Sequence, residues 1–568
     1  MKRRFGWTIA GAILAFSPAL AEAQTAAPSD GADTSAAAAR TDRVFAQWDR
    51  SDSPGCVVGV FRDGRIAYAR GYGMANLELG IALSPQSVLD IGSTSKQFTA
   101  MATVLLTQQG KLSLDDDVRK YIAELPAYDK PVTVRHLLTH TSGLRDYLTL
   151  WYLAGVDDAD YTTNDEALDL IRRQKALNFS PGDQRLYSNS GFFLASVIVE
   201  RVSGRTLAQF AEEHIFRPLG MRHTRFSDDH AAVIPGRATG YARRPGGGYS
   251  TSMSDFEQTG DGGVLTSVED LQRWDENFYT ARVGGRTAIE QLHQRAVLNN
   301  GRTETYALGL IVDTYRGLRR VRHGGAWAGY RAELLRFPEQ HFSVAVLCNL
   351  AGTDPTTLAR RVAEIYLAPA FATAPESAAP RLGAAGSIAL APRDVERYAG
   401  LYRSARTGEL RRVIFRRDSL LLSDLVSALP LEPTGADRFR VPGAQPGPDV
   451  RFDRSRPSSR CVELVYSSGD TLVFERVPEA SPTPRELAAY AGTYYSEEVG
   501  AEYRLEVKDG ALVLRRRRSA PVTLSPTYAD AFTGEGVRYR FTRDRGRVTD
   551  LLVDAGRIRN LRFVRRLN

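Results

Sequence analysis

A segment rich in Ala and Pro at residues 368–391 divides the chain into two parts with different sequence patterns. The segment has no amphipathic period and predicts a linker. Residues 44–367 mix helical and strand-like stretches, whereas the residues after the linker run in short alternating strands with little helical pattern. At 568 residues, the chain also exceeds the size at which one hydrophobic core stops growing. The sequence therefore predicts several domains of two different classes.

The part after the linker contains a weak internal repeat. The motif Tyr-Ala-Gly-x-Tyr begins at Tyr398 and recurs 92 residues later at Tyr490. Each copy continues in short strand-like runs that alternate apolar and polar residues. We predict two small all-β modules at residues 392–480 and 485–568, closed as antiparallel barrels because closure protects the edges of their sheets.

The N-terminus has the pattern of a secretory signal peptide. Three cationic residues at 2–4 precede an apolar stretch at residues 7–16, and small-x-small cleavage patterns follow at residues 19–23. The apolar stretch is too short to span a bilayer, which argues against an uncleaved anchor. We therefore predict a signal peptide at residues 1–23, a flexible leader rich in Ala, Ser and Thr at residues 24–43, and a periplasmic or secreted mature protein.

The three cysteines, Cys56, Cys348 and Cys461, are widely spaced and form no Cys-x-x-Cys pair. Because their number is odd, the sequence supports neither a disulfide framework nor a zinc site. We predict buried, unpaired thiols. One alternative stays open, since Cys56 and Cys348 both lie in strand-like runs and could pair.

A hairpin and several helices are predicted before the linker. Asp63 and Gly64 join two strand-like runs, which is a strong signal for a tight turn. Helical patterns at residues 94–109 and 189–202 end at glycines, and a third at residues 267–278 begins with a capping serine. This part of the chain is therefore predicted to mix α and β structure.

Ser93 and Lys96 lie where a strand-like stretch turns into the first of these helices. Three residues apart on a helix, the hydroxyl and the amine share one face, so an amine of lowered pKa could take the hydroxyl proton. The helix N-terminus also supplies N–H groups for a developing oxyanion. A serine three residues before a lysine arises by chance about once in a chain of this length. A capped helix with an exposed lysine is the alternative interpretation.

Two further places could carry chemistry. Tyr187 and Asn189 supply a phenol and an amide beside a helix start, and His323 precedes two glycines between strand-like segments. Glycine at that point would let a substrate approach the backbone. Taken singly, each has an ordinary alternative: a buried tyrosine with a satisfied hydroxyl, and a glycine turn.

In their order along the chain, these motifs resemble the serine penicillin-recognising enzymes, a family of class C β-lactamases, D,D-carboxypeptidases, D-aminopeptidases and related esterases. The resemblance covers about residues 44–367. Its six ordered blocks are SxxK at 93–96, HLLTHTSGL at 136–144, YSNSG at 187–191, IFRPLGM at 215–221, GGVLTS at 262–267 and HGG at 323–325. The family implies an α+β fold in which helices and a helical subdomain flank an antiparallel sheet.

The resemblance implies specific roles for four residues of the first and third blocks. Ser93 would be the acylated nucleophile and Lys96 its activating amine. Tyr187 would act as general acid and base, and Asn189 would hold the amide of the substrate.

The last block departs from the usual Lys-Thr-Gly of the family and resembles the His-x-Gly variant of D-aminopeptidases and some esterases. His323 and Gly325 would contact substrate. A histidine replaces a permanently cationic anchor here, which weakens recognition of a substrate carboxylate. By position in the family pattern, the backbone N–H groups of Ser93 and Ala326 would form the oxyanion hole.

The resemblance implies an exported serine hydrolase that forms an acyl-enzyme on amide or ester bonds of D-amino-acid substrates, including peptidoglycan fragments. It implies D-aminopeptidase or D,D-peptidase activity and no cofactor. The barrel repeat resembles the two C-terminal β-barrel modules of D-aminopeptidases, which lie near the active site and restrict what enters. The alternatives are a small-ester esterase, a weak β-lactamase, and a cell-wall sensor or scaffold without turnover. The sequence predicts no oligomeric state.

Metal and nucleic-acid binding are both disfavoured. His136 and His140 have the spacing of a zinc pair, but Leu137 occupies the position of the usual glutamate base and no third ligand is evident. The net charge of +8 lies entirely within residues 391–568, which hold 32 basic and 24 acidic residues. An Arg-rich accessory part suits contact with anionic envelope polymers better than a nucleic-acid enzyme.

Overall fold

The computed structural model describes residues 30–157, 159–371, 397–416, 419–424, 427–435, 437–441, 448–453, 461–465, 471–517 and 519–566. The predicted signal peptide and most of the predicted linker lie outside these residues. None of the helices within them is long and apolar enough to cross a membrane.

The first part of the chain is an α+β domain, as predicted. Its helices are α1 Asp30–Phe45, α2 Lys96–Gln108, α3 Val134–Leu138, α4 Tyr147–Ala154, α5 Asn164–Arg172, α6 Asn189–Ser203, α7 Leu207–Ala211, α8 Arg217–Leu219, α9 Val268–Thr280, α10 Gly285–Leu292 and α11 Pro355–Tyr366. Its strands are β1 Cys56–Arg62, β2 Arg65–Tyr72, β3 Met74–Asn76, β4 Ile81–Ala82, β5 Leu89–Asp90, β6 Arg225–Phe226, β7 Tyr241–Arg243, β8 Tyr249–Thr251, β9 Val264–Thr266, β10 Ile311–Tyr315, β11 Leu318–Trp327, β12 Tyr330–Phe337 and β13 Phe342–Cys348.

The main sheet is antiparallel and has the strand order β10-β11-β12-β13-β1-β2. Side chains alternate across it, as the pleat of a strand requires. Val57 and Phe61 of β1 pack into the core shared with α2, α6 and α9, whereas Val58 and Val60 pack toward α11 on the other face. Helices therefore cover both faces, and the sheet is buried at its centre.

The ends of the domain meet in this sheet, because β1 pairs with β13. Asp63 and Gly64 form the turn between β1 and β2, which confirms the predicted hairpin. Cys56 lies directly opposite Cys348 across the two strands, and the two form a disulfide. The prediction of unpaired thiols is therefore wrong for these two residues, and the alternative that they pair is confirmed. Cys461 is buried and free, as predicted.

The three helices expected from the sequence are present at the predicted places. Gly110 and Gly204 follow α2 and α6 with φ of 68° and 71°, a backbone conformation that favours glycine at a helix C-terminus. The Ser267 hydroxyl accepts a hydrogen bond from the backbone N–H of Asp270 and caps α9. These signals marked the helix ends correctly because each satisfies a backbone requirement locally.

The predicted flexible leader is wrong from Asp30 onward, where α1 begins. This helix is fixed by tertiary contacts near its C-terminal end: Phe45 is fully buried, and Asp42 accepts hydrogen bonds from Tyr68 and Tyr72. Most of the helix is rich in Ala, Ser and Thr, so its sequence carries no apolar stripe over the first turns. Packing of its last turns therefore determines a helix that composition did not indicate.

The second part of the chain consists of two closed eight-stranded antiparallel barrels, as predicted. Barrel 1 contains β14 Gly400–Arg403, β15 Leu410–Arg416, β16 Ser419–Ser423, β17 Ala428–Gly435, β18 Arg438–Arg440, β19 Asp449–Asp453, β20 Cys461–Val465 and β21 Thr471–Val477. After a short helix, α12 Pro484–Leu487, barrel 2 contains β22 Gly492–Ser496, β23 Ala501–Lys508, β24 Ala511–Arg515, β25 Val522–Pro526, β26 Ala531–Gly534, β27 Val537–Asp544, β28 Arg547–Ala555 and β29 Ile558–Arg566.

The repeated Tyr-Ala-Gly-x-Tyr motif is where each barrel starts. The second tyrosine donates its hydroxyl to the carbonyl of the first over 2.8 Å in both copies, Tyr402 to Tyr398 and Tyr494 to Tyr490. The glycine between them has a φ of 151° in barrel 1 and 143° in barrel 2, a region that side chains rarely adopt. The sequence repeat thus corresponds to one repeated contact, in which the first strand of each barrel is hydrogen-bonded to the turn that precedes it.

Candidate active site

A cavity of about 730 Å³ opens at one edge of the main sheet. Its walls come from the turn before α2, the start of α6, the end of β11 and the hairpin between β28 and β29 of barrel 2. Six of the seven predicted site residues line it, namely Ser93, Tyr187, Asn189, His323, Gly325 and Ala326. The seventh, Lys96, lies directly behind Ser93. The structure thus brings together all seven residues that the sequence predicted for catalysis and substrate binding.

Ser93 lies in the helical turn Gly92–Ser95, and Lys96 begins α2. The Lys96 Nζ atom is 3.0 Å from the Ser93 Oγ atom and 2.9 Å from the Asn189 Oδ1 atom. It also donates to the backbone carbonyl of Asp261. Lys96 is fully buried, and burial lowers its pKa from 10.5 to about 7. A neutral amine at hydrogen-bond distance from a serine hydroxyl can take its proton.

Two carboxylates oppose part of that pKa shift. Asp261 follows Gly260 in the loop before β9 and accepts hydrogen bonds from the Tyr147 hydroxyl. Burial raises the pKa of its carboxyl, and the Lys96 charge works in the opposite direction. Asp146 is also fully buried and accepts the backbone N–H of Asn189 over 2.6 Å. Asp146 therefore fixes the first residue of α6 and with it the Asn189 side chain.

Tyr187 faces both Ser93 and Lys96. Its ring lies 5.0 Å from the Lys96 Nζ atom, and its buried hydroxyl makes no well-formed hydrogen bond to any residue that the structure describes. Burial raises the pKa of Tyr187, whereas the nearby Ser93 hydroxyl and Arg557 guanidinium counteract the rise. The hydroxyl is therefore protonated at neutral pH and can donate to a leaving group.

His323 is a neutral hydrogen-bonded imidazole. Its Nδ1 atom lies 2.6 Å from the Gly324 carbonyl and its Nε2 atom 2.9 Å from the Tyr306 hydroxyl. We assign the proton to Nδ1, so that Nε2 accepts from Tyr306. Burial and the charge of Lys96 lower the pKa of His323 to about 3. This position therefore provides no cation of the kind that a lysine would supply.

Gly92 and Gly325, beside the nucleophile, allow two backbone segments to lie in direct contact. A methyl group on Gly325 would lie 1.8 Å from the Ile91 carbonyl, so no side chain fits at this position. A methyl group on Gly92 would lie 2.7 Å from the Ala326 backbone nitrogen. The N–H groups of Ser93 and Ala326 thus belong to adjacent backbone segments at the cavity wall. Their role as an oxyanion hole stays a prediction.

The two histidines considered as a zinc pair have other partners. His136 accepts a hydrogen bond from the backbone N–H of Thr133 and completes the cap of α3. His140 lies beyond the end of that helix, accepts the N–H of Ser188, and packs its ring 4.0 Å from the Tyr187 ring. Its burial lowers the pKa of His140 well below 6.5. His140 therefore packs against the Tyr187 ring and helps to fix its position.

A second group of metal-ligand types lies at the outer edge of the cavity. Asp229, His230 and Glu257 bring ligand atoms within 4.8 Å of one another. Asp229 and His230 are exposed, and His230 lies 3.0 Å from Glu257. These are the contacts of a surface ion pair, and we assign no metal to the group.

Sequence reasoning missed several residues of this site. The residue type of Asp261 gives no signal, because any residue could supply a backbone oxygen, but its position directly before the 262–267 block could have identified it. Tyr306 and Arg557 come from segments outside the six motif blocks, and Arg557 belongs to barrel 2. Asp146 follows the 136–144 block closely, and a residue beside a motif is the one signal that could have identified it.

Comparison with known proteins identifies the family. Residues 41–367 match the Beta-lactamase family. A D-aminopeptidase from Brucella anthropi is 30% identical over 300 residues, which span 53% of this chain and only 56% of that enzyme. A D-aminopeptidase from Cereibacter sphaeroides is 29% identical over 464 residues, 80% of this chain and 82% of that enzyme.

Solved structures include an octameric penicillin-binding protein homologue from Pyrococcus abyssi. It is 26% identical with a TM-score of 0.54, and the match covers 78% of this chain and all of that chain. Ser93 and the buried Lys96 both lie inside the segment that the family match spans. On this evidence, the chain belongs to the β-lactamase family and is a serine hydrolase.

Proposed function

We propose that this protein is an exported hydrolase that cleaves amide or ester bonds of D-amino-acid substrates through an acyl-enzyme, as a D-aminopeptidase or D,D-peptidase does. The observation that carries the proposal is the fully buried Lys96 amine at 3.0 Å from the Ser93 hydroxyl. The relatives named as D-aminopeptidases support the substrate class.

The proposed reaction has two acyl-transfer steps. In the first, Ser93 Oγ loses its proton to Lys96 Nζ and bonds to the substrate carbonyl carbon, and the negative charge on the carbonyl oxygen faces the N–H groups of Ser93 and Ala326. Tyr187 then protonates the leaving nitrogen or oxygen as its bond to carbon breaks. In the second step, water loses a proton to the Tyr187 phenolate and attacks the acyl carbon, and Ser93 Oγ leaves with the proton that Lys96 Nζ holds, which releases the acid and restores all three side chains.

The substrate class is tested by rates on four compounds: D-alanine p-nitroanilide, a D-Ala-D-Ala peptide, p-nitrophenyl acetate and nitrocefin. Turnover of one of the first two supports the proposal. Cleavage of p-nitrophenyl acetate alone would refute it and identify a small-ester esterase, for which the neutral His323 is the favouring observation. Cleavage of nitrocefin alone would identify a weak β-lactamase.

The nucleophile is tested with a fluorescent fluorophosphonate on the wild type and on Ser93→Ala. Labelling should depend on Ser93, and labelling that survives the substitution would contradict this assignment. A fluorescent penicillin separates turnover from sensing, because a sensor or scaffold would retain the acyl group permanently.

We also propose that the Arg-rich C-terminal part contacts anionic polymers of the cell envelope. The support is the concentration of the whole net charge of +8 in residues 391–568.

A further inference from the structure

One residue of barrel 2 reaches the catalytic centre. Arg557 lies in the two-residue turn between β28 and β29, after Gly556, which has a φ of 46°. Its guanidinium packs over the Tyr187 ring at 4.6 Å from the ring centre and lines the cavity. A positive charge from another domain therefore lies beside the general acid that the reaction requires.

The hairpin that carries Arg557 is held in place by the catalytic domain. The side-chain amide of Asn178 donates to the Arg557 carbonyl over 2.9 Å, and its oxygen accepts the N–H of Arg559 over 2.8 Å. Asn178 thus pairs with the hairpin as a neighbouring strand would. The Arg145 guanidinium donates to the carbonyls of Arg559 and Asn560. The position of Arg557 is consequently built into the domain interface.

The charge of Arg557 is only partly compensated. Among the described residues, it forms an ion pair with Asp146 alone, at 3.6 Å, beyond ordinary hydrogen-bond distance, and its side chain is 42% exposed. The Asp146 carboxylate already accepts hydrogen bonds from Asn189 and Thr149. The structure shows no hydrogen bond from the Arg557 guanidinium to any described residue. The guanidinium lines the cavity and keeps N–H donors that could bind an anionic group placed there.

Each carboxylate that lines the cavity already accepts a hydrogen bond from the protein itself. Three line the cavity. Asp90 accepts the N–H of Gly92, Asp261 accepts the Tyr147 hydroxyl, and Asp354 accepts the N–H of Thr357 at the start of α11. A free α-ammonium group near Arg557 would meet a like charge instead of a partner.

We propose that Arg557 is a specificity-determining residue that binds an anionic group, a carboxylate, on the acyl part of the substrate and disfavours a free α-ammonium group there. This inference rests on the proposed function and selects the D,D-peptidase of its two alternatives: the acyl group is an N-acylated D-residue with a negative charge, whereas a D-aminopeptidase would need a free D-amino acid there. A guanidinium with several N–H donors suits a carboxylate oxygen pair.

The test uses three p-nitroanilides that share one scissile bond: D-alanine, N-acetyl-D-alanine and N-succinyl-D-alanine. They carry a positive charge, no charge and a negative charge on the acyl part when the pH stays below about 7, where an α-amino group remains protonated. The quantity compared is the ratio of kcat/KM for the succinyl and D-alanine compounds. A ratio is required because Arg557 also lowers the pKa of Lys96. A substitution of Arg557 would therefore change the rates of all three compounds together, and the ratio removes this common change.

The variants are Arg557→Gln, Arg557→Lys and a control, Arg545→Gln. Arg545 is exposed in the turn between β27 and β28, in the same barrel but at the other end of β28. We expect the wild type to favour the succinyl compound, Arg557→Gln to lower the ratio about tenfold, Arg557→Lys to restore most of it, and Arg545→Gln to leave it unchanged.

Each other outcome contradicts the inference. A wild-type preference for D-alanine p-nitroanilide, or an unchanged ratio in folded Arg557→Gln, overturns it while the proposed function stands. An equal loss in Arg545→Gln would assign the effect to long-range charge rather than to Arg557. Failure of the wild type to cleave any of the three overturns this inference, and it overturns the proposed function as well if the D-Ala-D-Ala peptide is not cleaved either.

Discussion

The two barrels have the same strand count and the same starting motif, yet they relate differently to the catalytic domain. The apolar interior of barrel 2 is continuous with the main core of the catalytic domain, whereas barrel 1 forms a separate core around Tyr402 and Phe474. Barrel 2 also shares a buried ion pair with the catalytic domain, between Arg145 and Glu498 at 2.6 Å. Two barrels of the same fold can therefore have different roles in one chain. Barrel 2 is a structural part of the active site, whereas barrel 1 is an appended module.

Removal of a whole barrel should have the largest effect. A chain that ends at residue 480 lacks barrel 2, so it exposes core side chains and leaves Arg145, which is 2% exposed, without its carboxylate partner. We expect it to be insoluble or unlabelled by a fluorophosphonate. Deletion of residues 392–480, which removes barrel 1, should retain labelling of Ser93. An equal loss of Ser93 labelling in the two truncated chains would contradict the distinction between the barrels.

The ion pairs of the two barrels give a smaller and more local comparison. Glu498→Gln leaves the Arg145 charge buried and should lower the free energy of unfolding by about 3 kcal/mol. Its matched control in barrel 1 is Glu432→Gln, because Glu432 and Arg440 are half-exposed and 3.9 Å apart. We expect a change below about 0.5 kcal/mol there. Denaturant unfolding measures the free energy of unfolding of both variants. Similar decreases in the two would show that barrel 2 is no more tightly coupled to the catalytic domain than barrel 1.

The pH dependence of the reaction should also depend on barrel 2. Lys96 must be neutral to act as a base, so kcat/KM should rise with pH through about 7, the pKa to which burial lowers this amine. The positive charge of Arg557 contributes to that lowering, and Arg557→Gln should therefore move the rise to higher pH. The pH profile of the neutral N-acetyl substrate measures the shift. A midpoint that stays in place or moves to lower pH would exclude this electrostatic link.

The sequence predicted the parts of the site whose chemistry depends on residue type and local spacing. Ser93 and Lys96 share one helical turn, and Tyr187 and Asn189 flank one helix start, so a short window contains their geometry. The barrel fold was predictable because strand alternation and the Tyr-Ala-Gly-x-Tyr repeat are also local. The features that the sequence did not determine depend on contacts between segments that lie far apart along the chain.

Three features illustrate that limit. The Cys56 and Cys348 disulfide requires that β1 pair with β13 in one register, which spacing along the chain does not determine. The helix α1 depends on tertiary packing of Phe45 rather than on its own composition. Arg557 reaches Tyr187 only because a barrel hairpin docks on Asn178. Each is a consequence of the assembled fold and of no local pattern.

The smallest expected effect concerns the surface charge of the barrels. Residues 481–568 hold 17 basic and 11 acidic residues, against 15 and 13 in residues 391–480, so the excess charge belongs mainly to barrel 2. We expect Arg504→Gln with Arg545→Gln, both exposed in barrel 2, to weaken binding to purified cell-wall polymer about twofold at low salt.

The matched pair in barrel 1 is Arg416→Gln with Arg440→Gln, which are also exposed. It removes the same charge from a surface where acidic residues almost balance basic ones, so its effect on binding should be smaller. Co-sedimentation at increasing salt measures both, because the distance over which exposed charges attract falls from about 10 Å at 0.1 M salt to about 3 Å at 1 M. Binding that resists salt, or that weakens equally for the two pairs, would mean that the net charge of barrel 2 does not guide this protein to an anionic surface.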